Sequence, residues 1–286
     1  MKLSVIIPTF NRADVLRRNL NLLATQTLPK EDFEVIVVDD GSRDETPRLL
    51  REFVDKHVLD LKVFTQNNAG QGVARNLGIE RSGGEILLFL GDDMLPKPDL
   101  LERHYRFHSA NLEKERSALG KVTWHPEIRV SRFMRWLTHS GVQFKFHDLS
   151  HGEQTDFWRF YTANISIKRE LLGRERFDQD FSGWGFEDAE LGYRLQEKGM
   201  ELIYLPAALA EHFHKIDATS LFERQFAAGK NAVLFQKKHP EEAILPTGAK
   251  LFVQKLIAIA LPFTFYARAK KAFLAGVAAG KREQLK

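Results

Sequence analysis

Asp92 and Asp93 follow a run of five apolar residues, Ile86 to Leu90, and a single glycine, Gly91. Two carboxylates about 4 Å apart repel by roughly 4 kcal/mol at an effective dielectric near 20. A divalent cation carrying a polyphosphate turns that cost into a binding site; an acidic turn capping the next helix is the plainer alternative. A second pair, Asp39-Asp40, follows the apolar stretch Phe33–Val38 and leads into Gly41-Ser42. A third, Glu187-Asp188, sits at the start of a segment with Leu191 and Leu195 on one side, where the helix dipole favours carboxylates and keeps them ionised. His212 and His214 add two imidazoles downstream.

The elements that must position these groups follow from periodicity. Ile86–Leu90 is a short apolar run that suits a strand buried on both faces, Leu3–Ile7 reads as the first strand, with β-branched apolar residues at its centre, and Phe33–Val38 and Leu61–Thr65 read as two further short strands. Helical patterns separate them: Val15, Leu16, Leu20 and Leu23; a segment through Leu49, Leu50 and Phe53 with Asp44 as its expected N-cap; and Gly72–Arg81. Strands alternating with helices imply βαβ units and a parallel sheet. Ligands of such sheets bind at the carboxyl ends of the strands, where Asp39/Asp40 and Asp92/Asp93 lie. There is no Gly-x-Gly-x-x-Gly turn after the first strand, which disfavours a dinucleotide dehydrogenase, and no Walker loop.

Beyond Met94 a helix is expected over Pro98–His108. Residues 111–160 mix aromatics and charges with no clean period. A strand is expected after Asn164, a helix from Glu187 to the stop at Gly199, and a closing hairpin of Leu202–Leu205 and Ala208–Phe213 that displays His212 and His214. Glycines flank Trp184 on both sides, which frees its backbone for unusual dihedrals.

Bulk properties narrow the classes further. A hydrophobic fraction of 43% is ordinary for a globular chain, and the absence of cysteine excludes disulfides, thiolate zinc and a cysteine nucleophile. The net charge of +4 is concentrated in residues 250–286, which hold eight Lys/Arg against Glu283 alone. The other 249 residues carry 34 basic and 37 acidic groups, a balance of −3, so a nucleic-acid-binding body is not indicated. The N-terminus, broken by Pro8, does not read as a signal peptide, and a cytosolic start is the expectation.

Six segments in order resemble the family 2 glycosyltransferases, inverting enzymes of the GT-A fold: residues 4–12 (Ser-Val-Ile-Ile-Pro-Thr-Phe-Asn-Arg); Val37-Val38-Asp39-Asp40-Gly41-Ser42; Asn68-Ala69-Gly70 with Ala74-Arg75-Asn76; Gly91-Asp92-Asp93; Ala163-Asn164 with Ser166; and Trp184-Gly185-Phe186-Glu187-Asp188. The resemblance implies an α/β fold with a Rossmann-like, mostly parallel central sheet flanked by helices. Residues 1–215 would form the catalytic domain, with 1–110 as its nucleotide-sugar half and 111–215 as its acceptor half. Beyond the matched segments, residues 216–286 read from their own pattern as a helical C-terminal region, with a helix expected over Leu221–Lys238, before Pro240.

It also implies a nucleotide-sugar donor, most often a UDP-sugar, and a glycan or glycolipid acceptor. Thr9, Asp39, Arg75 and Asp92 would bind the nucleotide, and Asp93 would bind Mn²⁺ or Mg²⁺ on the diphosphate. Asp188 would be the general base. His212 or His214 resembles a metal histidine of some relatives, and His214 is the preferred candidate. Trp184 and Glu187 would meet the acceptor, although a core tryptophan and a helix-capping acid are the plainer readings. Gly91 stands where the family often has the first acid of Asp-x-Asp. The Gln-x-x-Arg-Trp motif of processive polymerases is absent, Arg224-Gln225-Phe226 being only a partial match, so single-sugar transfer is expected.

The chemistry is consistent with this: a bound cation offsets the charge on a departing diphosphate, and a carboxylate on the opposite side deprotonates the attacking hydroxyl. Alternatives from the same residue set are a nucleotidyltransferase that makes the activated sugar, and a non-catalytic sugar-nucleotide binder. In the tail, Leu256–Ala267 is uncharged but interrupted by Pro262, too short to cross a bilayer. Basic residues at both ends suggest an interfacial helix pair lying on an anionic membrane, peripheral on its inner, cytoplasmic face, with a helical cap on the catalytic domain or an oligomer contact as the alternative.

Overall fold

The computed structural model describes residues 2–140, 142–181, 183–248, 251–252 and 264–284. Four strands, β1 (Leu3–Thr9), β2 (Phe33–Asp39), β3 (Leu61–Thr65) and β4 (Ile86–Leu90), lie parallel in the order β3-β2-β1-β4. Val5, Ile7, Val35, Val37, Leu88 and Leu90 are fully buried, as expected of strands covered on both faces. Helices α1 (Ala13–Leu23), α2 (Thr46–Lys56) and α3 (Gln71–Arg81) make the crossovers. Asp44 stands one residue before the observed N-cap Glu45, and its carboxylate still accepts the Thr46 N–H (2.9 Å).

The sheet then changes character. After β5 (Met94–Pro96) and α4 (Leu100–Ala110), the 111–160 region contains β6 (Arg116–Trp124), α5 (Arg132–Ser140) and β7 (Gln154–Thr155). Then come β8 (Asn164–Lys168), α6 (Arg169–Leu172), α7 (Glu187–Glu197) and β9 (Glu201–His212). β8 runs antiparallel to β4 and β6, β9 is parallel to β6, and β5 and β7 pair antiparallel with opposite ends of β9.

The expected hairpin over Leu202–Leu205 and Ala208–Phe213 is instead the single strand β9. Pro206 has no N–H to give a ladder, and the chain absorbs it as an irregularity: Gly120 pairs with Leu205, and the next residue, Lys121, with Leu209. Asn164 donates to the backbone carbonyls of Lys121 (3.1 Å) and Ala208 (2.9 Å) there, so the break leaves those acceptors satisfied.

The C-terminal part holds α8 (Ala218–Lys238) and α9 (Phe265–Glu283). Phe235 of α8 is fully buried and packs with Phe157, Tyr193 and Phe186, so this helix is built into the body. Backbones of α8 and α9 touch at Gly229 and Gly276: a Cβ on Gly276 would lie 2.0 Å from the Phe226 carbonyl oxygen. Of the expected interfacial segment Leu256–Ala267, residues 256–263 lie outside the described residues. No described helix is long and apolar enough to cross a membrane.

Candidate active site

Pairing of the strands brings the acids to one edge. β1 and β4 are neighbours in parallel register, so the residue at the end of β1 and the turn after β4 meet: Thr9 Oγ1 donates to Asp92 Oδ2 at 2.9 Å. β4 pairs Leu90 with Asn164, which sets residues 161–163 against the same turn, and Gly91 N–H donates to the Ala163 carbonyl (3.2 Å). β5 pairs Met94 with His212, and His212 Nε2 lies 3.2 Å from Asp93 Oδ2. The first two turns of α3 present Gln71 and Arg75, four residues apart and so on one face, to the first turn of α7. Arg75 Nη1 donates to Asp188 Oδ1 (3.4 Å), and Gln71 hydrogen-bonds Glu187.

These groups line one cleft of about 490 Å³. Asp92, Asp93, Arg75, Trp184, Glu187 and Asp188, all singled out from the sequence, face it together with His212. Thr9 is joined to it through Asp92. Asp39 does not line it. Its carboxylate accepts the Ser42 N–H (2.9 Å), and the turn so held forms part of a second hollow between Phe10-Asn11 and residues 65–68. Asp40 braces that hollow from within, accepting from Gln66 Nε2 and from the Ala69 and Gly70 N–H groups. His214 sits beside His212, ring centroids 6.0 Å apart, and does not touch Asp93 by hydrogen bond.

Charge is arranged unevenly. Burial, then the proximity of Asp93, raises the Asp92 pKa. Burial works on Asp93 in the same direction, but His212 and Arg12 outweigh it and hold that carboxyl below the usual range. Arg12 Nη1 is 2.7 Å from Asp93 and 3.9 Å from Asp92. Glu187 is raised by burial and then by Asp188. His214 is drawn down to about 4 by burial and by the nearby Arg12. Asp188 itself is held by three donors: Arg75 on Oδ1, and on Oδ2 the Thr162 N–H (3.1 Å) and hydroxyl (2.7 Å).

The loop carrying Trp184 has Gly183 at φ +80° and Gly185 at φ +91°, values only glycine adopts readily. Phe186 follows at φ +76° and caps α7, so the turn delivers Glu187 and Asp188 into the cleft from a strained backbone.

Sequence reasoning gave no site role to Arg12, which lies in a matched segment, to Arg224, named only for its partial Gln-x-x-Arg-Trp match, or to Gln71, Thr162 and the loop at Phe144, all of which face the cleft. Gln71 is four residues before Arg75, a spacing that exposes it once α3 is placed. Thr162 is two residues before a recognised asparagine. Arg224 is carried by α8, and no local pattern connects it to a strand edge.

For a divalent cation the test is the donor set. Mg²⁺ and Mn²⁺ bind through one or two carboxylates with phosphate oxygens completing the shell. Asp93 with a histidine at 3.2 Å fits such a partial site, and buried His212 Nδ1 has no hydrogen-bond partner. No group of three or more His, Asp or Glu residues able to hold a metal unaided occurs among the described residues.

The architecture is that of the GT-A fold. S. aureus TarS 1-349 in complex with UDP superposes with a TM-score of 0.61 at 20% identity, covering 100% of this chain and 92% of that one. The mannosyltransferase PcManGT from Pyrobaculum calidifontis, in complex with GDP-Man and Mn²⁺, also gives 0.61, at 22% identity over 97% of this chain and 75% of that one. The chain belongs to glycosyl transferase family 2, whose sequence profile matches residues 4–167. Validoxylamine A glucosyltransferase from Streptomyces hygroscopicus subsp. jinggangensis is 33% identical over 282 residues, which cover 85% of this chain. The chain spans 62% of that relative's length.

Proposed function

We propose that this chain is a metal-dependent, inverting glycosyltransferase that moves one sugar from a nucleotide-sugar, most simply a UDP-sugar, to an acceptor hydroxyl on a glycan or glycolipid of the cell envelope. The observation that carries the reading is the single cleft with an acid pair on one wall, Asp92 and Asp93, and a separately held carboxylate, Asp188, on another. UDP in the TarS complex, and GDP-Man with Mn²⁺ in the Pyrobaculum complex, support a nucleotide-sugar donor and a divalent ion.

In this reading Arg75 and Asp92 hold the nucleotide from within the cleft, Thr9 acts through its hydrogen bond to Asp92, and Asp39, which does not line the cleft, acts at its margin through the turn it holds at Ser42. Asp93 and a histidine hold Mn²⁺ or Mg²⁺; the sequence favours His214, but the hydrogen bond to Asp93 favours His212. The bound cation offsets the charge that builds on the departing diphosphate. Asp188 takes the acceptor's hydroxyl proton as that oxygen bonds to the anomeric carbon. The bond from that carbon to the phosphate oxygen breaks, its electron pair leaving with the nucleoside diphosphate. One base and one in-line displacement invert the anomeric centre. Trp184 offers a flat apolar face to the acceptor sugar, and Glu187 lies beside the base, tied to Gln71.

The test is nucleotide release from a panel of UDP- and GDP-sugars with Mn²⁺ and candidate acceptors. Asp188→Asn is expected to lower acceptor-dependent turnover by at least a thousandfold while donor affinity stays within about threefold. Full activity in Asp188→Asn would end the assignment of the base.

A further inference from the structure

Three arginines line the cleft, and two are committed. Arg12 is paired with Asp93 and Asp92, and Arg75 with Asp188 and Gln71. Arg224 is different. It makes no hydrogen bond and no ion pair among the described residues; its guanidinium lies over the Trp184 ring at 5.7 Å from the centroid. It is close enough to feel Arg12 and Asp93, and burial together with the like charge of Arg12 depresses its pKa. A half-buried guanidinium on the cleft wall, beside a second cation and with no carboxylate paired to it among the described residues, presents its donor fork to an anionic ligand.

The position is built rather than incidental. Leu221, Arg224, Ala228 and Asn231 fall at helical spacing on one face of α8. Leu221 is buried with Phe133, Met134 and Leu137; Ala228 packs on Gly185; and Asn231 Nδ2 donates to the Gly185 carbonyl at 2.8 Å. The face that carries Arg224 is therefore fastened on both sides, one turn from the loop that presents Trp184. Residue 224 also lies beyond the family match, which ends at 167.

We propose that Arg224 binds the diphosphate of the donor, so that the C-terminal helix α8 completes the leaving-group site that the family segment leaves open. This rests on the nucleotide-sugar reading above. Guanidinium and phosphate pair through two parallel charge-assisted hydrogen bonds. When the anomeric carbon–oxygen bond breaks and its electrons stay on the phosphate oxygen, Arg224 supplies positive charge from α8, beside that of Arg12. Without a ligand, the same side chain rests on Trp184.

The experiment is calorimetric titration of the full chain with UDP, GDP and UMP in Mn²⁺, for wild type, Arg224→Gln and Arg224→Lys, with thermal melts to confirm folding. Wild type is expected to prefer UDP to UMP at least tenfold. Arg224→Gln should weaken UDP about tenfold and leave UMP within twofold, with Arg224→Lys in between. Unchanged UDP affinity in Arg224→Gln, or an equal loss of UMP, would overturn the proposal. So would inorganic phosphate binding to UDP-saturated wild type and not to Arg224→Gln, because the guanidinium would then serve a second anionic ligand. If wild type binds neither UDP nor GDP, it is the nucleotide-sugar reading that fails, a distinct result.

Discussion

A carboxylate acts as a base only if it is held with a lone pair toward the proton it will take. Asp188 has two oxygens, and the structure occupies them unequally. Oδ1 has one long bond to Arg75, while Oδ2 has two from Thr162. Thr162 therefore fixes the carboxylate plane and leaves Oδ1 the more available oxygen. Thr162→Val removes the hydroxyl and keeps the backbone donor. A hydrogen bond to a charged group contributes about 1.5–3 kcal/mol, so kcat is expected to fall roughly 10- to 100-fold. Donor KM should change less than about twofold, and Thr162→Ser should restore the rate. A steady-state comparison of the three proteins checks this, and equal effects on KM would point to a general structural role instead.

Elements decide which residues can meet, and one of them makes a pH test available. His104 and His108, on one face of α4, are buried against β8: His104 bridges Ser166 (2.7 Å) and Asn164 (3.0 Å), and His108 reaches the same Ser166 hydroxyl (2.8 Å). Burial lowers their pKa values to about 4 and about 3. An unfolded histidine titrates near 6.5. Between about pH 6.5 and 4 the unfolded chain thus binds more protons than the folded one, and stability must fall as the pH falls. Each ring contributes up to about 1.4 kcal/mol per pH unit in that window. Melting temperature against pH should show the slope, and His108→Leu should roughly halve it; a flat profile in wild type would show that the rings are not held neutral.

The same elements show what a sequence can reveal. Leu3–Ile7, Phe33–Val38 and Ile86–Leu90 were legible because parallel strands buried on both faces are largely apolar runs; β3, at the sheet edge, is only half-buried, with Lys62 and Thr65 exposed, and its signal is correspondingly weaker. β5, at three residues, and β7, at two, are too short to have a period. β6 carries polar residues where its neighbours admit them. β9 looked like two strands because a proline inside a ladder is indistinguishable in sequence from a turn until its partner strand is seen. At the cleft, acids at strand ends were legible because the fold rule locates them. Thr162 and Arg224 were not, because their relevance depends on which strand lies beside which, and on where a distant helix docks.

At the scale of the whole molecule, charge and shape separate. α9 fastens to α8 through its small residues Gly276, Val277 and Gly280, and so has a defined outer face. Arg268, Lys271, Lys281 and Arg282 are exposed there, with Phe265 and Tyr266 exposed at the start of the helix. Basic side chains with aromatic residues at one end are what an anionic bilayer surface attracts, at about 1 kcal/mol per basic residue near the surface. This would hold the cleft close to a lipid-linked acceptor. The prediction is co-sedimentation with vesicles containing anionic lipid, falling as salt shortens the Debye length. A triple charge reversal, Lys271→Glu, Lys281→Glu and Arg282→Glu, alters exposed side chains only and should leave the melting temperature and UDP affinity unchanged. It should reduce vesicle binding at least tenfold, because three attractive charges become repulsive. Equal sedimentation of the reversed protein would show that α9 serves only as the outer layer of the helical cap, and that the positive charge of the chain's C-terminal part has no membrane to meet.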